Sequence, residues 1–431
     1  MSTNDNAAAK ATVAGMRPGI AILAFAMLLV PMFNGLLFWT PESAPLSVGM
    51  DRLRFFGFAF LAFEVVAIFV AMRGGPVLPR QLAAAPVAVR FGLAAVAAIA
   101  FGTAIFAATV PAVALLRTVS WCVHLLFGLS VAAIVASAAR VEVLRLAAAL
   151  AAGSILYIAV VVAYVASRTQ PDAIEWIAAM PGYNNVRHMG YYLAATYGLA
   201  LGLAIIRLPI SRHHAGLAGA VALAAAAALC WSGTRGGIAA VVAAVAVQLV
   251  AGRGTWRIPL IALTMATLAG GAVLSQVHSV DDASFGIARF EDKSQGGLET
   301  ASNGRAAIWR DTITAIGVRP LFGHGEGQTS FVVEAALGAY VHPHNVVLQM
   351  LLAWGIAGGG IALALVAWAW LRVNAATRRG PDARLPFHLM ASTLVAYAFI
   401  DGTLFHPQPL MLAALAVGVC LSWKPAVSPA T

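Results

Sequence analysis

The chain is cut into apolar runs of about 20 residues that are almost bare of charge, joined mostly by short polar connections. In hydrocarbon, the backbone amides of such a run find no partner but each other, so each run is expected to be a helix. The runs lie near 19–38, 53–72, 89–109, 113–137, 142–166, 189–207, 215–232, 237–252, 258–276, 347–371, 386–402 and 407–422. They predict an all-α polytopic membrane protein of about twelve transmembrane helices. Only 10% of the 431 residues are charged, where a soluble domain has about 25%. With 61% hydrophobic residues and a mean hydropathy of +0.85, a soluble globular fold is excluded.

The pattern divides the chain into residues 1–276 with the first nine runs, a long loop over 277–346, and residues 347–431 with the last three runs and a tail. Met1–Lys10 is polar and leads into an apolar run too long for a signal-peptide core, so an uncleaved first span is expected. No internal repeat, low-complexity tract or separate soluble domain stands out. Gly358 to Gly360 would allow close helix contact. Cys122, Cys230 and Cys420 sit in apolar runs at no ligand spacing and read as packing residues.

The net charge of +10 does not imply nucleic acid, because the basic residues stand singly at run ends instead of forming a patch. They fix orientation instead. If the N-terminus is cytoplasmic, that side receives sixteen of the 27 Lys and Arg residues, from Lys10 and Arg17 to Arg384 and Lys424. The opposite short loops and adjacent run ends hold Arg52, Arg54, Arg117, Arg168, Arg187 and Arg235. Both termini are then cytoplasmic, and the two longest polar connections, near 167–188 and 277–346, fall on the exported side.

Those connections hold most of the polar clusters. Pro181–Tyr192 contains Asn185, Arg187 and His188 among Tyr183, Tyr191 and Tyr192, which reads either as an interfacial aromatic belt or as an anion or sugar site. Trp231-Ser-Gly-Thr-Arg-Gly-Gly237 is a turn whose amides can join Arg235 around an anion, although the Walker spacing is absent. Ser302–Ile313 reads as a helix capped by Ser302 or Asn303, with Arg305 and Trp309 on one face. Arg305 opposes the dipole of its own helix, which favours a ligand for it. In Val341-His-Pro-His-Asn345, Pro343 is expected in a first helical turn, so His342 and His344 would stand at a helix N-terminus that favours a neutral, proton-accepting imidazole.

A metal is the rival use for that pair. His342 and His344 with Asp281 and Asp282 make no strong ligand spacing, so no metal is expected. Glu64, within a span, is read as a helix-to-helix contact and His124 as a satisfied intramembrane residue. His213, His214 and His388 fall on the cytoplasmic side. Lys293 and Glu326 are lesser candidates in the long loop.

Several arginines beside a neutral histidine suit transfer from a lipid diphosphate, with guanidinium groups stabilising the departing charge and the imidazole deprotonating an attacking hydroxyl. Gly304-Arg-Ala-Ala-Ile-Trp309, Arg319-Pro-Leu-Phe-Gly-His-Gly-Glu-Gly327, His344-Asn345 with Leu348 and Gln349, and Trp354-Gly-Ile356 resemble the O-antigen ligase and polymerase superfamily. Asn185-Val-Arg-His-Met-Gly190 and Ser232-Gly-Thr-Arg-Gly236 resemble its ligase branch.

The resemblance covers roughly residues 180–360. It implies a long periplasmic loop carrying short helices, an inner-membrane location in a bacterium and an active site facing the periplasm. It also implies a metal-independent, cofactor-free, inverting transferase. That enzyme would move O-antigen from undecaprenyl diphosphate to the lipid A-core oligosaccharide, with membrane lipids and no nucleic acid as further partners. Arg187, Arg235 and Arg305 would hold the diphosphate, His344 or His342 would be the base, and His188, Asn185, Asn345 and Trp309 would contact sugar or give support. A polymerase or protein O-oligosaccharyltransferase of the same superfamily is the near alternative, and an exporter of lipid-linked glycan the distant one.

Overall fold

The computed structural model describes residues 16–38, 57–73, 77–167, 180–181, 183, 186–277, 285–286, 304–337, 340–378 and 380–423. Among them no strand occurs, and one isolated bridge pairs Met180 with Tyr183. Each of the apolar runs forms a helix. They are α1 (Pro18–Phe38) and α2 (Phe58–Arg73), then, beyond the short α3 (Val77–Ala84), α4 (Val87–Phe106), α5 (Pro111–Val135), α6 (Arg140–Ala166), α7 (Val186–Arg207), α8 (Arg212–Trp231), α9 (Arg235–Ala251) and α10 (Arg257–Leu274). The long loop contributes α11 (Arg305–Val318), α12 (Thr329–Val332) and a 3-10 turn (Glu334–Ala336), and the chain ends in α13 (Val346–Thr377), α14 (Leu385–Ala398) and α15 (Pro407–Ser422). Among the described residues seven helices, α4 to α8, α10 and α13, are long and apolar enough to cross a membrane, as in a multi-pass membrane protein.

The bundle is built around α7, whose membrane-length window is buried throughout. It packs on α6, α8, α9, α10, α14 and α15. α14 and α15 have 14 and 16 residues, about 21–24 Å each, short of the ~30 Å hydrocarbon core. The turn between them is enclosed by the protein, and every residue from Asp401 to Ala413 is buried. Irregular backbone at membrane depth is stable only where protein or a polar cavity lines it.

α13 differs from the single span expected near 347–371. Gly355 interrupts it with φ 62° and ψ −169°, leaving a first half over 346–354 and a second half over 356–377. The Pro320–Gly325 backbone docks into the break: His324 and Gly325 donate to the Leu352 and Ala353 carbonyls at 2.8 Å each, and Ile356 and Ala357 donate to Pro320 and Leu321 at 2.8 and 3.1 Å. A Cβ at Gly355 would stand 2.3 Å from the Leu321 carbonyl, so only glycine meets both the conformation and the approach. The second half has 22 residues, about 33 Å, and is long enough to span alone. The first half is free to carry the site.

Three local expectations are corrected. Pro343 is not in a first helical turn: Asn345 is the N-cap of α13, its Oδ1 accepting from Val347 and Leu348 N–H at 2.9 and 3.1 Å, so both histidines precede the helix. α11 has Gly304, at φ 76°, at its N-cap position, in place of the expected Ser302 or Asn303, which lie outside the described residues. Tyr183 and Tyr192 form no lipid-facing belt, because both are buried around Tyr157 in edge-on contacts of 5.2 and 6.1 Å. Glu64 does join two helices, its carboxylate lying 2.7 Å from His124 Nδ1. Gly358 packs close to Ile99 of α4, whereas Gly360 meets nothing within 4 Å.

Candidate functional site

The enclosed turn after α14 gathers the polar clusters that are far apart in sequence. At its centre Asp401 Oδ1 accepts from Tyr191 Oη at 2.8 Å and Gly402 N–H at 2.8 Å, and lies 2.7 Å from His344 Nδ1. Its Oδ2 accepts from Arg305 Nη2 at 2.9 Å. Burial opposes the charge of this carboxylate, but the adjoining His344 with its hydrogen bond and the Arg305 guanidinium outweigh it and hold Asp401 well below the ordinary value of 3.8.

His344 reaches Asp401 from a backbone with φ 55°, an unfavourable conformation for a non-glycine residue that costs about 1–3 kcal/mol and persists only where the surroundings impose it. They do so on both sides. Trp309 Nε1 donates to the Pro343 carbonyl at 2.8 Å, and Asn345 Nδ2 donates to the Phe399 carbonyl at 3.0 Å while Oδ1 caps α13. Asn345 and Trp309 are thus supports of the histidine turn. Because a carboxylate only accepts, the proton on His344 Nδ1 points at Asp401 and Nε2 keeps its lone pair, with the side chain 17% exposed.

His342 is buried and differently engaged. Its Nδ1 accepts from the His344 backbone N–H at 3.2 Å, which puts the proton of the neutral ring on Nε2, 3.2 Å from His406 Nε2. Burial, then the neighbouring His344, pushes His342 well below 6.5, and burial does the same to His406. The neutrality expected from a helix end therefore arises from desolvation. Gly402 is indispensable here, since a Cβ there would stand 2.3 Å from the His342 ring. Behind the turn, buried Arg117 donates to the Phe405 carbonyl at 3.2 Å and lies 3.9 Å over the Phe405 ring.

Arg305 and Trp309 share one face of α11, as their spacing predicts, and that face looks onto the two histidine-bearing turns: Arg305 Nη1 also donates to the Ile400 carbonyl at 2.7 Å. Arg187, at the start of α7, donates from Nη1 to the Ser232 carbonyl, which ties it to the turn that presents Arg235. Among the described residues the half-buried Arg235 guanidinium makes no hydrogen bond or ion pair, and its neighbour Gly236 lies against Tyr397 and Ile400. The three arginine-bearing segments thus border one turn. His188 stacks 5.5 Å from Tyr191 and lies 4.4 Å from the His406 ring. Asn185 lies outside the described residues.

Asp401, Tyr191, His406 and Arg117 were not singled out as site residues from sequence. Asp401 falls within the apolar run read as 386–402, and no spacing links it to His344, 57 residues away. The donor atoms of His342, His344 and Asp401 lie within 4.8 Å of one another, close enough to hold a metal ion. All three are already joined by a chain of hydrogen bonds, and Arg305 beside Asp401 disfavours a further cation.

Residues 220–363 match the family described as O-antigen ligase, a stretch that contains Arg235, Arg305, Trp309, His342, His344 and Asn345. The general O-oligosaccharyltransferase of Acinetobacter baylyi (strain ATCC 33305 / BD413 / ADP1) is 29% identical over 142 residues, 31% of this chain. The matched stretch spans 24% of that relative, about a quarter of its length. The family match thus covers about a third of the chain and includes the arginine and histidine motifs that fold together around this turn.

Proposed function

We propose that the protein is an O-antigen ligase: a metal-independent, inverting glycosyltransferase that moves O-antigen polysaccharide from undecaprenyl diphosphate to the lipid A-core acceptor at the periplasmic face of a bacterial inner membrane. In this reading about twelve helices cross the membrane with both termini cytoplasmic. The observation that carries it is the His344–Asp401 pair, an imidazole whose proton-bearing nitrogen is fixed on a carboxylate and whose other nitrogen is free to accept.

An acceptor sugar hydroxyl gives its proton to His344 Nε2 as its oxygen attacks the anomeric carbon of the donor. The bond from that carbon to the phosphate oxygen breaks on the opposite face, inverting the centre, and undecaprenyl diphosphate leaves. Arg187 and Arg235 hold the diphosphate and stabilise the charge that develops on it. Arg305 has a split role: two of its guanidinium nitrogens are engaged by Ile400 and Asp401, and its remaining N–H groups face the diphosphate. His342, with both nitrogens occupied, braces the turn, so His344 is the base.

The test is lipopolysaccharide banding in a strain lacking the protein, complemented with His344→Ala, Arg305→Ala or His342→Ala. Loss of the polymer ladder with the first two is expected, and wild-type ladders from both would overturn the assignment. A ligase-deficient strain should accumulate full-length lipid-linked polymer, whereas a polymerase-deficient strain would hold single repeats. Transfer by the purified enzyme should survive chelation, and a loss restored by metal would refute the metal-free mechanism. The similarity to an O-oligosaccharyltransferase favours a second reading, in which the acceptor is a protein hydroxyl. Glycan appearing on protein, with the lipopolysaccharide ladder unchanged, would select that reading.

A further inference from the structure

The segment joining α11 to the buried stretch at 323–326 is exposed and apolar in a way that the fold around it does not use. Val318, Arg319, Pro320, Leu321 and Phe322 form an unbroken exposed run, with Val318 at 70%, Leu321 at 56% and Phe322 at 52%. The next four residues, Gly323 to Glu326, are all buried. The sharp boundary marks a segment held firmly at its base with its apolar side chains turned outward.

Its neighbours place it. The Pro320 and Leu321 carbonyls accept from Ile356 and Ala357, the first residues of the membrane-length half of α13, where Ile356 is 62% exposed. Arg319 donates to the Ala107 carbonyl just past the end of α4, beside Phe106 at 89% and Ile105 at 52% exposure. One apolar surface thus runs from the outward sides of two spanning helices onto residues 318–322.

The carbonyls of this segment are withdrawn from the surroundings, whereas the Leu321 and Phe322 N–H groups make no backbone hydrogen bond among the described residues. The successive carbonyls of Arg319, Pro320 and Leu321 each accept a backbone N–H, from Gly323, Ile356 and Ala357, and Pro320 has no N–H to satisfy. Pairing of these carbonyls lowers the cost of placing irregular backbone beside lipid. Of the five residues only Arg319 is charged, and its guanidinium is turned onto a protein carbonyl.

We propose that residues 318–322 form an apolar shoulder immersed in the acyl chains of the membrane leaflet at the site end, a lipid contact made outside any spanning helix. The occupant is lipid because the shoulder continues the lipid-facing surfaces of α4 and α13, and contiguous apolar surface of this kind marks a membrane or partner contact. The shoulder anchors the segment that fills the break in α13, so the depth of the histidine turn is tied to the membrane surface.

The test uses the full chain in phospholipid nanodiscs, with Cys122, Cys230 and Cys420 replaced by Ala and single cysteines introduced at Val318, Leu321 and Phe322 for nitroxide labelling. Collision rates are measured with molecular oxygen, which concentrates in acyl chains, and with a water-soluble nickel chelate. Nitroxides at the three shoulder positions should favour oxygen, as does one at Met265→Cys, 64% exposed on α10. A label at the charged and exposed Arg310→Cys should favour the nickel chelate. Shoulder labels that follow Arg310 would overturn the proposal by placing the segment in water. Labels reached by neither reagent would overturn it by showing a protein cover. Because the substitutions are at exposed positions they leave packing intact, and agreement among three sites separates a local misfold from the result.

Discussion

Asp401 takes donors from α7, α11, the histidine turn and its own turn, so a single carboxylate fixes the relative position of Tyr191, Arg305 and His344. Asp401→Asn keeps the shape but puts an amide where His344 needs a pure acceptor, which allows the wrong imidazole tautomer. The expected outcome is a loss of kcat on the order of 10² to 10⁴ with KM little changed, read in a transfer assay with purified enzyme. A KM effect alone would show that Asp401 serves binding. At this scale the sequence disclosed the residues that stand in marked company. His342, His344, Arg187, Arg235 and Arg305 are polar residues bunched at run ends. Asp401 was hidden because a lone carboxylate at the end of an apolar run leaves no periodic or spaced trace, and its partners are up to 210 residues away.

The helices themselves were readable, because hydrocarbon permits little else for an apolar run and each of those runs is helical. What hydropathy does not register is a break between equally apolar residues: Trp354, Gly355 and Ile356 continue the run, and only the docking of Pro320–Gly325 reveals the interruption. The caps of α11 and α13 were misjudged because Ser302 and Pro343 are suitable starts by local preference, whereas α11 begins after Gly304 in a left-handed turn and Asn345, tied to the Phe399 carbonyl, caps α13. Gly355→Ala should destabilise the protein by about 1–3 kcal/mol from backbone strain alone. The clash with the Leu321 carbonyl, at 2.3 Å, adds to that. A lowered unfolding midpoint in detergent, together with weakened transfer, is the outcome to measure. Gly360→Ala, in open space, serves as the control and should leave both unchanged.

Across the whole molecule the buried imidazoles make stability depend on pH. His342 and His406 have folded-state values depressed well below 6.5, so the unfolded chain binds more protons on the acid side and stability rises with pH. This contribution is complete above about 6.5 and is lost as pH falls below it. His342 faces His344, Asp401, His188 and Arg305, and His406 faces His188, His342, Arg117 and Asp401, so protonating either ring sets a cation near a guanidinium with one buried carboxylate to offset it. Asp401, with its value lowered, begins to lose its contribution only below 3.8. The unfolding midpoint should therefore drop between pH 7 and pH 5, and the drop should be smaller in His342→Gln with His406→Gln. An unaltered slope in that double variant would assign the acid sensitivity elsewhere.

The complete burial of α7 also constrains how the protein is made. A helix that touches no lipid in the finished bundle enters the bilayer before its neighbours exist, because α14 begins at Leu385, about 180 residues after α7 ends at Arg207. At cellular translation speeds that interval is on the order of 10–35 s. During it Arg187, His188 and three tyrosines of α7 have only the earlier helices, an insertase or a chaperone to shelter them. Biogenesis of this protein is thus a period of custody, and nascent chains truncated before α14 should be the preferred substrates of membrane quality-control proteases.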